Sequence, residues 1–307
     1  MPTLQQLRYL VAVADFLHFR RAAEECHVTQ PTLSAQLKAL EARLGATLVE
    51  RGRSGVILTP AGEKIAERGR RILRDVKEIR DIARLDQAPF ASVMRVGVVQ
   101  TLGSYLLPLV VPDLHASFPK LGLYVREGLP DDLLRALEAG TLDLLFHPAP
   151  PPRSDLQTRP LFREPILLVA PQDHPLARET AVDPAALEGE TILSLEPGHK
   201  LYDLVRTICD EVGAELSHDF EGTSLDTLRQ MVATGMGLSL MPALYVRSEV
   251  AKHDIVVARP FSGAAPSRAI GMTWRRGAAR EAEYEALARL IPEWLLRKAP
   301  EVEVPGA

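Results

Sequence analysis

The segment Thr29-Gln30-Pro31 constrains the fold of this chain more than any other feature of its sequence. A helical pattern that starts near Phe19 stops just before it. Threonine caps a following helix well, and proline is tolerated only in a helix's first turn. A second helical pattern then begins at once, with buried-type leucines one turn apart from Leu33 to Leu40. Two helices joined by so tight a turn predict a helix-turn-helix.

The start of the second helix carries small and hydrogen-bonding side chains on the face opposite the leucines. A helix enters the major groove of DNA end-on only when its first turns are of this kind. Lys38 follows at a position suited to a phosphate. An ordinary helical hairpin in a bundle is the alternative interpretation of this pattern. We expect DNA contacts from Arg20, Thr29, Gln30, Pro31, Thr32, Ser34, Lys38, Arg51 and Arg53.

Two features that follow favour DNA binding over simple packing. Residues 44–59 form the pattern of two short strands around a basic turn, a wing that would place Arg51 and Arg53 near the minor groove or the backbone. From Pro60 the chain has no further proline until Pro89, and its apolar residues alternate four and three apart, as in a dimerising coiled coil. About 27 helical residues would make a rod of roughly 40 Å, long enough to separate two heads on DNA. The alternative is a helix packed on its own domain.

Charge and composition narrow the classes of protein further. Residues 1–90 hold fifteen Lys and Arg against eleven Asp and Glu, whereas the rest of the chain holds twenty-one against twenty-nine. A basic head on an acidic body is typical of a DNA-reading domain joined to a regulatory one.

No apolar run approaches the ~20 residues of a membrane span, and no secretion signal begins the sequence, so we expect a cytoplasmic protein. Cys26 and Cys209 are too few for a disulfide framework or a multi-cysteine zinc site, and we expect no cofactor or metal.

Beyond residue 90, short apolar strands alternate with helices. This alternation predicts an α/β body with largely parallel sheets. In such sheets ligands bind beyond the carboxyl ends of the strands, against helix N-termini. That rule draws attention to four hydroxyl side chains, Thr101, Ser104, Thr223 and Ser224.

The stretch FRRAAEECHVTQPTLSAQLKALEARLGATLVERGRSGVILTPAGEKI closely resembles the DNA-binding head of LysR-type transcriptional regulators. Shared features are Ala-Ala, the Gln-Pro start of the recognition helix, Leu-Glu-x-x-Leu-Gly, a basic wing and Leu-Thr-x-x-Gly; Val49 stands where the family has Phe. The resemblance implies a winged helix-turn-helix head, a long linker helix and a two-lobed α/β regulatory domain similar to periplasmic binding proteins. We expect the head at 1–59, the linker at 60–88, lobe I at 92–162 and 267–300, and lobe II at 163–266.

Two further stretches, LEPGHKLYDLVRTIC and SLDTLRQMVATGMGLSLMPAL, resemble the hydrogen-peroxide-responsive OxyR branch of that family. Its members carry Gly-His-Cys where this chain has Gly198-His199-Lys200, and a second cysteine at the position of Cys209. Pro130 stands where the branch has a threonine, whereas Thr101 is retained. The resemblance, together with the rule on strand ends, predicts an effector or switch site at Thr101, Ser104, Pro130, His199, Lys200, Cys209 and Thr223.

Replacement of the reactive cysteine changes the expected mechanism. A two-cysteine peroxide switch needs a thiolate that is oxidised to sulfenic acid and a second thiol that condenses with it. Lys200 can do neither, so it is a charge that locks the lobes, a cation that recruits an anion, or a solvated surface lysine. Two acidic residues follow Cys209 and would raise its pKa, which favours a structural thiol over an independent redox role.

We therefore predict a sequence-specific transcription regulator that binds promoter DNA as a homodimer or homotetramer and contacts RNA polymerase. It would respond to a small effector, an anion among the candidates, in the cleft between lobes, or be locked in one state. One alternative is a regulator that uses Cys209 alone for redox sensing. Another is a cytosolic small-molecule-binding protein or enzyme, but the chain lacks a Gly-rich phosphate loop, a Gly-x-Ser-x-Gly elbow and His-rich metal spacing. We predict that it is not an enzyme.

Overall fold

The computed structural model describes residues 1–52, 55–85, 89–149, 152–252 and 254–305. The chain divides into two compact units, the first chiefly Met1–Asp86 and the second chiefly residues 87–307. Each unit has a buried apolar core of its own. Within the described ranges no helix is both long and apolar enough to cross a membrane.

The first unit is mostly helical. Its elements are α1 (Leu4–Phe16), α2 (Phe19–Glu25), α3 (Gln30–Leu44), β1 (Val49–Gly52), β2 (Gly55–Leu58) and α4 (Pro60–Leu85). Helices α1 to α3 enclose a core in which Leu10, Leu33 and Leu40 are fully buried. Strands β1 and β2 pair antiparallel as a two-stranded wing. The predicted helix-turn-helix with its wing and following long helix is confirmed.

Side-chain hydrogen bonds fix the joint between the wing and α4. The Glu41 carboxylate accepts the backbone N–H groups of Leu48 at 2.8 Å and Val49 at 3.2 Å. The Thr59 hydroxyl oxygen accepts the N–H of Gly62 at 3.0 Å, at the first turn of α4. A Cβ atom at Gly62 would overlap the carbonyl oxygen of Leu48, so only glycine fits there. These contacts give a physical reason for the Leu-Glu and Leu-Thr-x-x-Gly patterns.

The second unit is an α/β body. Its first half contains β3 (Val93–Val99), α5 (Gly103–Ser117), β4 (Gly122–Gly128), α6 (Pro130–Glu138), β5 (Leu144–Pro148) and β6 (Leu156–Pro171). Its second half contains β7 (Thr191–Leu195), α7 (Lys200–Val212), β8 (Glu215–Gly222), α8 (Leu225–Ala233), β9 (Leu238–Pro242), α9 (Ala243–Tyr245), a π-helical turn (Val246–Val250), β10 (Val256–Arg259), β11 (Ser267–Arg275) and α10 (Glu281–Lys298). Short 3-10 turns lie at Pro175–Arg178 and Pro184–Leu187.

The sheet of this unit is mixed, so the expectation of largely parallel sheets was wrong. The strands run in the order β4-β3-β5-β11-β6-β9-β7-β8, with β10 beside β6. Strand β3 is parallel to β4 and β5, and β7 is parallel to β8 and β9. Strand β6 is antiparallel to β9, β10 and β11, and β11 is antiparallel to β5. Strand β11 returns from late in the chain and lies between β5 and β6, antiparallel to both, so the sheet is mixed where the two halves join.

Two apolar clusters divide the body into lobes. One gathers β3 to β5 with α5 and α10, and the other gathers β7 to β9 with α7 and α8. Strand β6 contributes side chains to both clusters, because Phe162 lies in the first cluster and Ile166 and Leu168 lie in the second. The two-lobed α/β organisation implied by the resemblance is therefore confirmed.

Candidate nucleic-acid interface and interlobe cleft

The start of α3 is held by local hydrogen bonds. Thr29 is the N-cap residue, and its side-chain oxygen accepts the N–H of Thr32 at 3.4 Å while the two hydroxyl oxygens lie 2.8 Å apart. Pro31 occupies the second helical position, where a missing N–H leaves no helical bond unmade. The turn between α2 and α3 is thereby closed without a long loop.

The predicted DNA-contacting side chains of α2 and α3 lie mostly at the surface. Gln30, Pro31, Thr32 and Lys38 are exposed and Ser34 is half-buried, whereas Leu33, Leu37 and Leu40 of the same helix are buried. Arg20 is exposed on α2 and forms an ion pair with Glu24 at 3.1 Å. The backbone of Arg51 pairs with Val56 in the wing, and Arg53 lies outside the described residues. A polar, partly basic surface therefore surrounds the first turns of α3.

The topology of the body indicates a cleft between the lobes. Helices α5 and α6 start beyond the carboxyl ends of β3 and β4, and α7 and α8 start beyond those of β7 and β8. Such ends, where the strand order reverses, are the usual ligand sites of α/β sheets. Gly198 has φ +103, and a Cβ atom there would lie 3.8 Å from Cδ1 of Leu129, so the loops of the two lobes meet at this point.

On the lobe I rim, Thr101 is held by a buried ionic network. Its hydroxyl accepts Nη1 of Arg268 at 2.7 Å, and its carbonyl accepts Nη2 at 2.9 Å. The same guanidinium donates from Nε to Oε2 of Glu164 at 2.8 Å. The other oxygen of Glu164 accepts the N–H of Leu244 at 2.9 Å. Thr101 is therefore fixed to the strands that connect the lobes.

Two other predicted residues of this rim differ from Thr101. Ser104 is exposed in the first turn of α5, and Pro130 is the buried first residue of α6. Proline at that position needs no helical N–H partner, so Pro130 starts the helix but offers no hydroxyl to the cleft.

On the lobe II rim, Lys200 begins helix α7 and forms an ion pair with Asp203 at 3.0 Å, with 54% of its side chain exposed. His199 is the N-cap residue and makes no side-chain capping bond. Burial lowers the pKa of His199, and the carboxylate of Glu196 opposes that shift. Its Nε2 atom is buried without a hydrogen-bond partner among the described residues. Thr223 is exposed just before α8.

Cys209 lies on the same helix as Lys200 but faces the core. It packs in the apolar cluster that also holds Leu201 and Val205. Nine residues of α-helix separate the Cα atoms of positions 200 and 209 by about 13 Å, beyond the ~7 Å limit of a disulfide. Burial, and then the charge of Asp210, raise the pKa of the Cys209 thiol to about 11. The acidic neighbours predicted from the sequence are thus the smaller cause.

We expect Cys209 to resist alkylation in the folded protein. At pH 8, a thiol of pKa about 11 presents about one hundredth of the thiolate of a thiol with the ordinary value of 9.0. Iodoacetamide should therefore modify Cys209 at least ~100-fold more slowly in native protein than in urea, as followed by peptide mass spectrometry. Similar rates in both conditions would show that the thiol is accessible and ionised.

The sequence did not reveal an aromatic and arginine contact between the lobes. Tyr105 of α5 and Tyr245 of α9 meet edge to face, with ring centroids 5.1 Å apart. The Tyr245 hydroxyl accepts Nε of the buried Arg229 at 3.1 Å and donates to the carbonyl of Leu225 at 3.0 Å. Arg229 stands in an apolar helical pattern, and this is the one local signal that could have indicated it.

Comparison with known proteins finds a matching family for each of the two units. The model of the bacterial regulatory helix-turn-helix protein, lysR family, matches residues 4–63, and that of the LysR substrate binding domain matches residues 87–296. The chain is 42% identical to the DNA-binding transcriptional dual regulator OxyR of Escherichia coli K12, over 94% of each chain. It is 40% identical to the hydrogen peroxide-inducible genes activator of Dickeya chrysanthemi, over 94% of this chain and 95% of that one.

Among solved structures, a full-length OxyR of Pseudomonas aeruginosa superimposes with a TM-score of 0.76 at 37% identity, covering 94% of each chain. The matched families and relatives are regulators, so the prediction that the chain is not an enzyme is confirmed. The chain belongs to the LysR family of bacterial helix-turn-helix transcription regulators and, within it, to the OxyR group.

Proposed function

We propose that this regulator reads a promoter sequence through the first turns of α3 and that its own switch does not use a disulfide. The observation that carries DNA reading is the capped, solvent-exposed start of α3, where Gln30 and Thr32 are free of the core. Glutamine and threonine side chains suit base edges in the major groove. Lys38 and the wing arginines Arg51 and Arg53 would contact phosphates and set the register.

We propose that two copies associate through α4 and that a dimer or tetramer contacts RNA polymerase at the promoter. Ile72 and Ile79, one heptad apart on α4, are 41% and 65% exposed in the single chain. Apolar side chains at such spacing are buried when a second helix packs against them. In this proposal residues 1–59 read DNA, 60–88 join two copies, and the lobes at 92–162 with 267–300 and at 163–266 sense the effector.

The proposed absence of a disulfide switch rests on α7. Its first residue is a lysine, which has no sulfur to oxidise, and the remaining thiol of Cys209 is buried in the core of lobe II. Control would instead come from a small effector in the cleft or from one permanently favoured lobe arrangement. Lys200, His199, Ser104 and Thr223 lie within two residues of the first residue of a helix at the cleft. Thr101 would contribute to the same cleft, where its hydrogen bond to Arg268 holds it in place.

Selection of the protein's preferred DNA from a random duplex library tests the DNA-reading proposal. We expect enrichment of two related half-sites whose centres lie one or more helical turns of DNA apart, because a symmetric dimer presents two α3 helices. Binding to the enriched duplex should weaken steeply as salt rises, because phosphate contacts release counterions. Recovery of unrelated sequences with no shared motif would contradict the proposal.

A further inference from the structure

A groove lies beside β6 at the point where this strand passes from one lobe to the other. Strand β6 pairs with β11 as far as Pro165 and with β10 from Leu168 onward, on the edge opposite β9. Between these two pairings the chain at 260–265 leaves β6, and the carbonyl of Pro266 accepts the N–H of Ile166 where pairing resumes. The resulting groove has a volume of about 330 Å³, within the range of ~300–1,000 Å³ that small-molecule sites occupy.

The lining of the groove is apolar except at one ion pair. Its apolar lining includes Leu167, Val246, Pro260, Phe261 and Ala265. Arg247 and Glu301 supply its charged groups, with Nη1 and Oε1 3.0 Å apart. An apolar pocket with a few placed polar groups is the usual design of a small-molecule site.

A rare backbone conformation forms one wall. Val246 and Arg247 belong to the π-helical turn Val246–Val250, which directly continues α9. Single π-helical turns are uncommon in proteins and are frequent at functional sites. A second wall holds Glu301, on a C-terminal segment in which the backbone of Glu303 exchanges two hydrogen bonds with that of Arg163 in β6, at 2.7 and 2.9 Å. Both walls are therefore anchored to secondary structure around β6.

The N–H donors of Arg247 that Glu301 does not use indicate the class of ligand. Arg247 has five N–H donors, and its hydrogen-bond partner in the described part of the chain is a single oxygen of Glu301. Because 43% of its side chain is exposed, the remaining donors can serve a carboxylate from solvent. The apolar walls suit an alkyl or aryl body next to that carboxylate. We propose that this hinge groove binds a medium-chain organic carboxylate, with Arg247 as its anchor.

The position of the groove connects it to the cleft. Ala243 lines the groove, and the adjacent Leu244 donates its N–H to Glu164. Glu164 holds Arg268, which holds Thr101 on the lobe I rim. A ligand that fixes the start of α9 against β6 therefore acts on the strands that join the lobes.

Calorimetric titration of the full-length protein with octanoate tests the proposal, with octanol and acetate as comparison compounds. We expect saturable octanoate binding at one site per chain and no binding of acetate. Arg247→Gln should weaken octanoate about tenfold, the value of a charge-assisted hydrogen bond, and leave octanol unchanged. Arg135→Gln, at an exposed ion pair with Asp132 on α6, is the matched control and should change nothing.

A second variant distinguishes loss of octanoate binding from loss of folding. Ala265→Trp should fill the groove and abolish octanoate binding while the thermal unfolding midpoint and the affinity for DNA stay unchanged. Octanoate binding that is absent in the parent protein, or that survives both Arg247→Gln and Ala265→Trp, would overturn the proposal. A change in sedimenting mass on Ala265→Trp without octanoate binding would also overturn it, and would identify the groove as a contact between copies of the chain.

Discussion

Arg268→Met is expected to lower the free energy of unfolding of the second unit by about 3–5 kcal/mol, because it leaves the Glu164 carboxylate buried without its cation. Glu164 is 0% exposed, and Arg268 is 5% exposed. The loss of the bonds to Thr101 adds an unsatisfied hydroxyl and carbonyl to this cost. Both tryptophans of the chain, Trp274 and Trp294, are buried in lobe I, so their fluorescence in urea reports the transition.

Two controls separate the buried network from general effects of removing an arginine. Arg135→Met, at the exposed pair with Asp132, should cost no more than about 1 kcal/mol, as surface ion pairs do. In Arg268→Met the further change Glu164→Leu should recover part of the loss, because no buried charge then remains. A loss below about 1 kcal/mol for Arg268→Met alone would show that the network does not hold the lobes together.

Gln30→Ala is expected to lower the affinity for the selected DNA duplex tenfold to a hundredfold, about 1–3 kcal/mol, with little change for a scrambled duplex. Gln30 is the exposed first residue of α3, so its removal leaves the core of the head intact. A glutamine side chain can bond an adenine edge with two hydrogen bonds, which alanine cannot replace. Fluorescence anisotropy with both duplexes at several salt concentrations measures the effect.

Lys38→Gln is the matched comparison on the same helix. It should weaken binding to both duplexes by similar factors and reduce the slope of log affinity against log salt by about one. Gln30→Ala should leave that slope unchanged. If Gln30→Ala weakens both duplexes equally, or neither, then α3 does not read bases through its first turn.

The head was predictable because its signals are local. Thr29 and Pro31 mark the start of α3 through capping and proline placement, which depend on neighbours in the chain. The glycine at position 62 has a nonlocal cause, the carbonyl of Leu48, but it follows the Thr59 cap at a fixed distance. In the head, the structure favoured by neighbouring residues is also the one required by tertiary packing. The sequence pattern therefore predicts the fold of this unit.

The body was less predictable because its decisive contacts join distant residues. Glu164 and Arg268 stand 104 positions apart in the chain. The residues that flank each of them in the sequence are those of any charged residue at the edge of a strand. Alternating strands and helices suggested parallel sheets, whereas β6 and β11 pair antiparallel across the hinge. Gly198, which has φ +103, turns the chain just before Lys200 begins α7.

We propose that this OxyR-group regulator binds DNA without a disulfide switch. The most direct test is a DNase footprint of the reduced full-length protein on the DNA flanking its own gene, before and after hydrogen peroxide. We predict the same protected region in both, because Lys200 cannot be oxidised and Cys209 is buried with a raised pKa. A footprint that shifts with peroxide, and no longer shifts in Cys209→Ser, would contradict the claim and identify a one-cysteine switch.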